Sequence, residues 1–221
     1  MSRLRVSPHR ILAMLVVCAL VLLVGCDDSQ VNPTGQADVV LSRGTLDVAG
    51  SQLGAPLLAE AALSLDMVES IDVTLTEVQV LALGDDESEE GDWISLQVVS
   101  GGEIDLMQLP AQGEPGIVVA SGTLAAGPYG KVRLFFSDAT IVLNTEVTIS
   151  SQVYAAETPY PLTIPSALQT GIKVPTGGFD VPAGGADEAT IMFHDAASVH
   201  TVTATGGGLQ MSPVLTEAAG G

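Results

Sequence analysis

Two histidines and an aspartate near the end of the chain are the residues whose types and spacing first suggest chemistry. His194 and Asp195 are adjacent, and His200 follows a few residues later. If strands over 189–195 and 199–203 form a hairpin, the three side chains could approach one another as a small zinc or copper site requires. Two surface histidines without a metal are the simpler interpretation, because such a site needs three ligands at fixed geometry.

The sequence around these histidines carries no catalytic motif. His194 is out of phase with the apolar Ile191 and Phe193, so the alternation predicts that its imidazole points to solvent. The chain has no Gly-x-Ser-x-Gly elbow, His-Glu-x-x-His pair, Cys-x-x-Cys pair, phosphate-binding glycine loop or dinucleotide fingerprint. We therefore expect neither enzymatic activity nor a cofactor.

An acidic run over residues 84–92 is the second candidate for ion binding. Six of its nine residues are carboxylates, including Asp85, Asp86 and Glu87. Loops rich in carboxylate oxygen can hold calcium, but the spacing here does not fit the helix-loop-helix calcium template. Because blocks of like charge are usually solvated, we favour a solvated hairpin loop and keep the calcium site as the alternative.

Trp93, Arg133 and Lys173 are the candidates for ligand binding. Both bases lie between apolar neighbours in predicted strands, so each is expected to project from the face opposite the core. A cation in so acidic a chain either pairs with a nearby carboxylate, which we favour, or meets an anionic partner. Trp93 is the only tryptophan and could stack on sugar, although covering the rim of a sandwich is the commoner role of such a residue.

Cys26 is the candidate for covalent modification. Three arginines and an apolar run over 11–24 precede it, the arrangement of a secretory signal peptide. The run is shorter than the roughly 20 residues that a membrane-spanning helix needs. Leu23-Val24-Gly25-Cys26 resembles the lipobox of bacterial lipoproteins, which implies removal of residues 1–25, acylation of Cys26 and attachment to membrane lipid. The alternative is an ordinary signal peptide or an uncleaved anchor.

Charge and cysteine content narrow the possible partners. All 26 acidic residues follow residue 25 but only four of the seven lysines and arginines do, so removing 1–25 would leave a charge of −22. Such a charge repels nucleic acid and anionic headgroups, and we expect no nucleic-acid partner. Cys18 would leave with the signal peptide and Cys26 would carry lipid, so no internal disulfide is expected.

The sequence segments that contain these residues have the pattern of short strands separated by Gly and Pro turns. No segment has a sustained helical period. We predict strands over 44–49, 71–80, 93–99, 104–109, 117–124, 131–136, 139–143, 146–149, 160–164, 170–174, 179–181, 189–193, 199–203 and 209–215, and a strand or short helix over 55–65. The pattern predicts an all-β fold, an antiparallel β-sandwich of immunoglobulin-like or prealbumin-like type.

Two strands have predicted irregularities. The alternation that begins at Ile71 resumes one residue out of step at Val78, which indicates a β-bulge near Thr76. Pro159 and Pro161 cannot donate ladder hydrogen bonds, so the strand between them should be an edge or bulged one.

Several segments together resemble a family of bacterial and archaeal lipoproteins, domain of unknown function 4382, over about residues 44–215. They are Gly44-Thr45-Leu46, IDVTLTEVQV (71–80), WISL (93–96), LAAGPYGKVRL (124–134), YPLTIPSALQTGIKV (160–174) and LQMSPVL (209–215). The resemblance implies a secreted, usually lipid-anchored β-sandwich without known activity. The chain departs from the family pattern at 64–69 and after Asp195, and 150–158 looks like an insertion.

These observations give one domain over 44–217, preceded by the signal peptide over 1–25 and a flexible tether over 26–43, and followed by a small-residue tail over 218–221. We expect an exported protein, lipid-anchored at the cell or outer membrane and facing the periplasm or the exterior. Its expected function is that of a binding or adhesion module for a glycan or protein. The alternative is a structural envelope protein that contacts neighbours or itself.

Overall fold

A computed structural model describes residues 32–45, 63–85, 91–165, 170–206 and 208–218. The chain divides into Met1–Asn32 and Pro33–Gly221, and the elements lie in the second unit. In these residues the strands are β1 (Thr34–Gly44), β2 (Val68–Ala82), β3 (Ile94–Val98), β4 (Glu103–Asp105), β5 (Ile117–Ala125), β6 (Gly127–Leu143), β7 (Val147–Ile149), β8 (Gln152–Tyr154), β9 (Pro159–Thr163), β10 (Ile172–Val181), β11 (Ala186–His194), β12 (Thr203–Thr205), β13 (Gly208–Gln210) and β14 (Leu215–Glu217). One α-helix, α1 (Asp195–Val199), and three 3-10 turns (Leu65–Met67, Ser100–Gly102 and Leu106–Gln108) complete them.

Two long antiparallel strands, β2 and β6, form the centre of a twelve-stranded sheet. Each has different partners along its two halves: β2 pairs with β3 and β4, and β6 pairs with β10 and β9. From β3 the sheet continues through β5, β1 and β11 to β14, and from β9 it continues to β13 and β12. A separate hairpin joins β7 to β8. The all-β class predicted from the sequence is confirmed.

The sheet curls so that its far strands approach each other. The backbone N–H of Gly177 in β10 donates to Oε2 of Glu217 in β14, which closes the curl at that edge. A small apolar gap is lined by Leu41 of β1, Leu134 of β6 and Phe193 of β11, so the β1–β11 region packs face to face on the β6 region. The core thus lies inside one curled sheet, and alternate residues of opposing strands fill it.

The bulge predicted near Thr76 is confirmed. In the pairing of β2 with β6, Leu75 is opposite Phe136 and Glu77 is opposite Phe135, so β2 has one extra residue, Thr76, at that point. The extra residue allows Leu75 and Val78 both to point into the core, at 2% and 0% exposure.

The flexible tether predicted over 26–43 is wrong for residues 34–43, which form most of β1. This strand lies between β5, its antiparallel neighbour, and β11, its parallel neighbour. Ala37, Val39 and Leu41 are buried by that position. The interleaved Gln36 and Asp38 made the segment look polar in sequence, although alternation is what a strand with one buried face requires.

The strand predicted over 199–203 is also wrong. Residues 195–199 form helix α1, and the next strand is β12, which begins at Thr203. Ala197 and Val199 are buried by the helix. Five residues are too few to show a helical period in the sequence, and the hairpin expected between 189–195 and 199–203 does not form.

The strand with the two prolines is neither at an edge nor wholly in an antiparallel sheet. Strand β9 pairs with β6 through residues 159–161 and with β13, in parallel, through residues 162–163. The prolines are accommodated because the two neighbours are staggered along β9. The pair β1–β11 is parallel as well, so the predicted antiparallel sandwich is corrected at both places. Of the segment 55–65, residues 55–62 lie outside the described residues.

Candidate functional site

Four neighbouring strands place one polar residue each in a row across the outer face of the sheet. The register pairs Ser95 of β3 with Gln79 of β2, Gln79 with Arg133 of β6, and Arg133 with Lys173 of β10. The residues beside them in sequence, such as Val78, Val132 and Val174, are buried in the core on the opposite face. The pleat of the sheet therefore puts all four side chains on the outer face, as the sequence predicted for Arg133 and Lys173.

Arg133 is on the predicted face, but its side chain is buried, at 4% exposure, rather than projecting into solvent. Nε donates to Oε1 of Gln79 at 2.9 Å, and Nη2 donates to the same oxygen. The guanidinium carbon lies 4.3 Å from the ring centroid of Trp93 and 5.0 Å from that of Phe135. A charged group close to two aromatic rings gains cation–π attraction that offsets part of its desolvation.

Gly171 makes room for the arginine stem. Its φ is +67°, in the left-handed region, and a Cβ at this position would lie 2.6 Å from Cγ of Arg133 and 3.1 Å from Cε2 of Phe135. Only glycine has both the backbone freedom and the missing side chain that this approach requires. The local backbone before β10 therefore determines how closely Arg133 can lie against the sheet.

Gln79 is itself oriented by a carboxylate. Its Nε2 donates to Oε1 of Glu77 at 2.7 Å, and Oγ of Ser95 donates to the same carboxylate oxygen at 2.5 Å. Because the amide nitrogen faces Glu77, the amide oxygen faces the guanidinium of Arg133. Sequence patterns alone did not predict Glu77, Gln79 or Gly171 as site residues. The pairing register between strands brings these residues to the site, and no single stretch of sequence contains that register.

Two more basic residues belong to this surface. Lys173 is exposed and its Nζ lies 5.8 Å from the centroid of the half-buried Trp93 ring. Lys131 lies two residues before Arg133 on β6, so it shares the outer face. We call the surface formed by Trp93, Lys131, Arg133, Phe135 and Lys173 the basic aromatic face. It holds three of the four bases that follow Cys26 in the sequence.

A shallow groove adjoins the basic aromatic face at Lys173. Its volume is about 440 Å³, and it is lined by Pro165, residues 170–173, Ser212 and Pro213. The lining contains hydroxyl groups and proline rings next to one ammonium group. Such a lining suits a polar ligand with some apolar surface, and the groove extends the basic aromatic face beyond β10.

A cluster of acidic residues lies farther along the same strands, outside the basic aromatic face. Beyond the bulge, a second groove of about 500 Å³ is lined by the carboxylates of Asp72, Glu103, Asp105 and Asp138. Asp72 is opposite Asp105 in the pairing of β2 with β4. Asp105 Oδ1 accepts hydrogen bonds from the backbone N–H groups of Ile71 and Met107, so its role is at least partly structural.

The structure does not bring His194, Asp195 and His200 together. His194 is buried, at 2% exposure, so the prediction that it points to solvent is wrong. Asp195 Oδ2 lies 3.7 Å from Nε of Arg43, and His200 is exposed after α1. Within the described ranges no group of three or more His, Cys, Asp or Glu side chains could hold a metal ion.

The buried imidazole of His194 has one clear partner. Its Nε2 lies 2.8 Å from Oγ1 of Thr216, whereas Nδ1 has no hydrogen-bond partner among the described residues. The ring lies against Gly44, where a Cβ would stand 2.8 Å from Nδ1. Burial lowers the pKa of His194, and the Gly44 backbone and the Asp195 carboxylate oppose that shift only in part.

The acidic run and Cys26 are the remaining candidates, and the structure describes only part of this set. Strands β2 and β3 are paired and antiparallel, which confirms the hairpin predicted around the acidic run. Asp85 is exposed, while Asp86 and Glu87 lie outside the described residues. Cys26, the predicted signal peptide over 1–25 and residues 26–31 of the predicted tether also lie outside them. In the part of the chain that the structure describes, none of the helices has the length and hydropathy needed to span a bilayer.

The fold and this surface define a class: an all-β protein built on one curled sheet, with a basic aromatic face on its outer side. The model of the family described as domain of unknown function (DUF4382) matches residues 59–213, so the chain belongs to that family, as the sequence resemblance predicted. No curated protein and no solved structure matches the chain.

Proposed function

We propose that this protein is a non-catalytic binding module that is exported and held on a membrane by lipid at Cys26. The observation that carries the binding role is the basic aromatic face. In a chain whose net charge is −19, three bases lie on two adjacent strands beside the only tryptophan. Concentrating the few cations on one surface favours contact with a partner of opposite charge.

The organisation of the face supports recognition of a partner. Glu77 orients Gln79, Gln79 binds Arg133, and Arg133 lies over Trp93, so the indole is held in one position. A side chain that is already ordered loses less entropy when a partner binds it, and more of the contact energy is available for affinity. Lys173 remains exposed at the edge of this ordered group.

The binding role is tested with the full chain carrying Cys26→Ser, immobilised and exposed to envelope and extracellular material from the source cells. We expect saturable retention of a component that is lost in Lys173→Gln. Arg43→Gln, which removes the same charge elsewhere, should retain it. Retention that survives Lys173→Gln and Trp93→Ala would move the contact elsewhere and favour the alternative, a structural envelope protein.

The anchoring role has its own test. Replacing Cys26 with serine removes the sulfur that would carry the lipid, so the protein should leave the membrane fraction or keep its signal peptide. Fractionation and intact mass measure both results. Cys18→Ser is the matched control, because Cys18 lies in the segment expected to be removed. If Cys26→Ser and the unmodified protein have the same location and the same processing, the anchoring proposal is wrong.

A further inference from the structure

We infer that β14 is an acid-released strap: when the buried imidazole of His194 gains a proton, β14 leaves β11 and the curled sheet opens along this edge while the rest of the domain stays folded. This conformational change is independent of the proposed binding role. The features that carry it are the few bonds that hold β14, the surroundings of the His194 ring, and the apolar side chains that β14 covers.

Strand β14 lies at the end of the sheet and is held by few bonds. Within the described part of the sheet, Leu215–Glu217 pair with β11 alone, and all three residues are half-buried. Ahead of the strand, the backbone N–H of His194 donates to the oxygen of Val214 at 3.0 Å. After the strand, the N–H of Ala218 donates to the oxygen of Thr190 at 2.8 Å. A short edge segment with few bonds opens at a lower free energy than the whole domain.

Two side-chain contacts fasten β14 from either side. On one side, Nε2 of His194 in β11 lies 2.8 Å from Oγ1 of Thr216. On the other side, Oε2 of Glu217 accepts the backbone N–H of Gly177 in β10, across the curl. Histidine is the side chain whose charge ordinarily changes near neutral pH. The contact between His194 and Thr216 is therefore the one that mild acid alters.

The surroundings of the His194 ring disfavour a second proton. A neutral imidazole has one N–H group, and a charged imidazolium has two. The Thr216 hydroxyl can accept one of them, but Nδ1 has no hydrogen-bond partner among the described residues. The side chain is 2% exposed, and the backbone of β1 lies so close that a Cβ at Gly44 would stand 2.8 Å from Nδ1. A buried charge with an unsatisfied N–H is costly, and access of water removes much of that cost.

Nearby charges compensate only part of this cost. The Asp195 carboxylate, at the start of α1, attracts a cationic His194. Both of its oxygens are already engaged, since Oδ1 accepts the N–H of Ala196 at 2.6 Å and Oδ2 lies 3.7 Å from Nε of Arg43 in β1. Desolvation by burial outweighs Asp195 and the Gly44 backbone, and the pKa of His194 is lowered.

Glu217 and His200 lie on the other segments beside the ring and do not compensate its charge. Glu217, in β14, accepts the N–H of Gly177 on the opposite side of the curl. His200, after α1, is exposed. Neither of these groups therefore keeps a charged His194 within the closed sheet.

Among the elements that enclose the ring, β14 is the one that moves at the lowest cost. Strand β1 is paired on both sides, with β5 and with β11. Helix α1 buries Ala197 and Val199. Strand β14 has three paired residues and one neighbouring strand in the described sheet. Its departure lets water reach the imidazolium and leaves the larger elements in place.

Departure of β14 uncovers apolar surface. Leu215 lines the small apolar gap inside the curl together with Leu41, Leu134 and Phe193. Release of β14 removes Leu215 from this gap and leaves the backbone edge of β11 unpaired. The open state is therefore recognisable by increased binding of an apolar dye such as anilinonaphthalene sulfonate.

Native-state hydrogen exchange of the full chain carrying Cys26→Ser tests the strap at pH 7.5 and 5.5, with rates corrected for the pH dependence of exchange itself. The amides of Gly177 and Ala218 report on β14, and the amides of β1 report on the whole domain. The open strap exposes a histidine of ordinary pKa, about one unit above the lower pH, so opening should increase by between about threefold and tenfold. Exchange at Gly177 and Ala218 should be insensitive to dilute urea, whereas exchange in β1 should respond to it. Dye fluorescence should rise over the same pH range.

Substitutions assign the response to His194. His194→Gln should abolish both the increase in exchange at Gly177 and Ala218 and the rise in dye fluorescence. His200→Gln, the matched control, should preserve both. Thr216→Val removes the hydroxyl group beside the ring and should weaken the protection of β14 already at pH 7.5, by about threefold or more, as expected for one lost hydrogen bond.

Equal protection and equal urea dependence of β14 and β1 at pH 5.5 would overturn the inference, because β14 would then open only with the whole domain. An acid response that persists in folded His194→Gln would overturn it as well. Thermal melting shows whether that variant folds. If it does not, Thr216→Val decides: weakened protection of β14 at pH 7.5 supports the inference, and unchanged protection contradicts it.

Discussion

At the scale of single residues, the basic aromatic face depends on a position that carries no side chain. Gly171 lies against the stem of Arg133, and its backbone conformation is one that other residues seldom adopt. An added methyl group there has two separable costs, backbone strain and a clash with Arg133. Gly184 has the same backbone conformation without a neighbouring side chain, so a substitution there measures the backbone strain alone.

Gly171→Ala should destabilise the protein more than Gly184→Ala does. Gly184 has a φ of +68°, nearly equal to the +67° of Gly171, but a Cβ there meets nothing within 4 Å. Gly184→Ala should cost about 1–2 kcal/mol for strain alone. Gly171→Ala should cost a further 1–3 kcal/mol, roughly, for overpacking. Urea unfolding measures both, and equal costs would show that the contact with Arg133 is unimportant.

His194 should make the stability of the protein depend on pH below the ordinary histidine pKa of about 6.5. Its pKa in the folded state is below the ordinary value of 6.5, so the unfolded chain binds more protons as the pH falls. The unfolding free energy should therefore decrease as the pH falls below about 6.5. His194→Gln should flatten this decrease below about pH 6.5. His200→Gln, which alters an exposed histidine, should preserve it. Urea unfolding at several pH values checks the slope, and a slope unchanged in His194→Gln contradicts the prediction.

At the scale of secondary-structure elements, β1 differs most clearly from the structure that the sequence predicted. The strand pairs on both sides and buries alternate residues, so the domain depends on a segment that composition assigned to a tether. Leu41 is 2% exposed in this strand, whereas Leu83, after β2, is 65% exposed. The two leucines therefore form a matched pair.

Leu41→Ala should destabilise the protein by about 2–5 kcal/mol, because it leaves a cavity in the core. Leu83→Ala should change the unfolding free energy by less than about 0.5 kcal/mol. Chemical denaturation of both variants is the measurement. Equal, small effects would mean that β1 contributes no packing and that the tether interpretation was correct.

What the sequence could predict was local. The phase slip between Ile71 and Val78 located a bulge because both halves of the alternation lie in one stretch. The outward phase of Arg133 was predictable for the same reason. Its burial was not, since Trp93, Gln79 and Gly171 come from three other parts of the chain. Helix α1 was missed because five residues contain little more than one turn.

At the scale of the whole molecule, the excess of acidic residues should make stability sensitive to salt. Like charges repel one another more in the compact state, and added ions screen that repulsion. Raising sodium chloride from low to physiological concentration should therefore raise the melting temperature. Calcium at matched ionic strength should have a similar effect, and calorimetry should detect no tight stoichiometric site. A micromolar one-to-one isotherm lost in Asp85→Asn with Asp86→Asn would instead establish the calcium-binding alternative.

The position of β1 has a mechanical consequence. Force applied to the chain ahead of Thr34 would reach this strand first, and a force directed along β1 would load it along its own axis. Its backbone is paired from Gln36 to Gly44 with β11 and from Thr34 to Leu41 with β5. Pulling along paired strands shears many hydrogen bonds at once, whereas pulling across them opens the bonds one by one. A domain tethered through this end would therefore resist tension that acts along β1, with a lifetime governed by its unfolding rate.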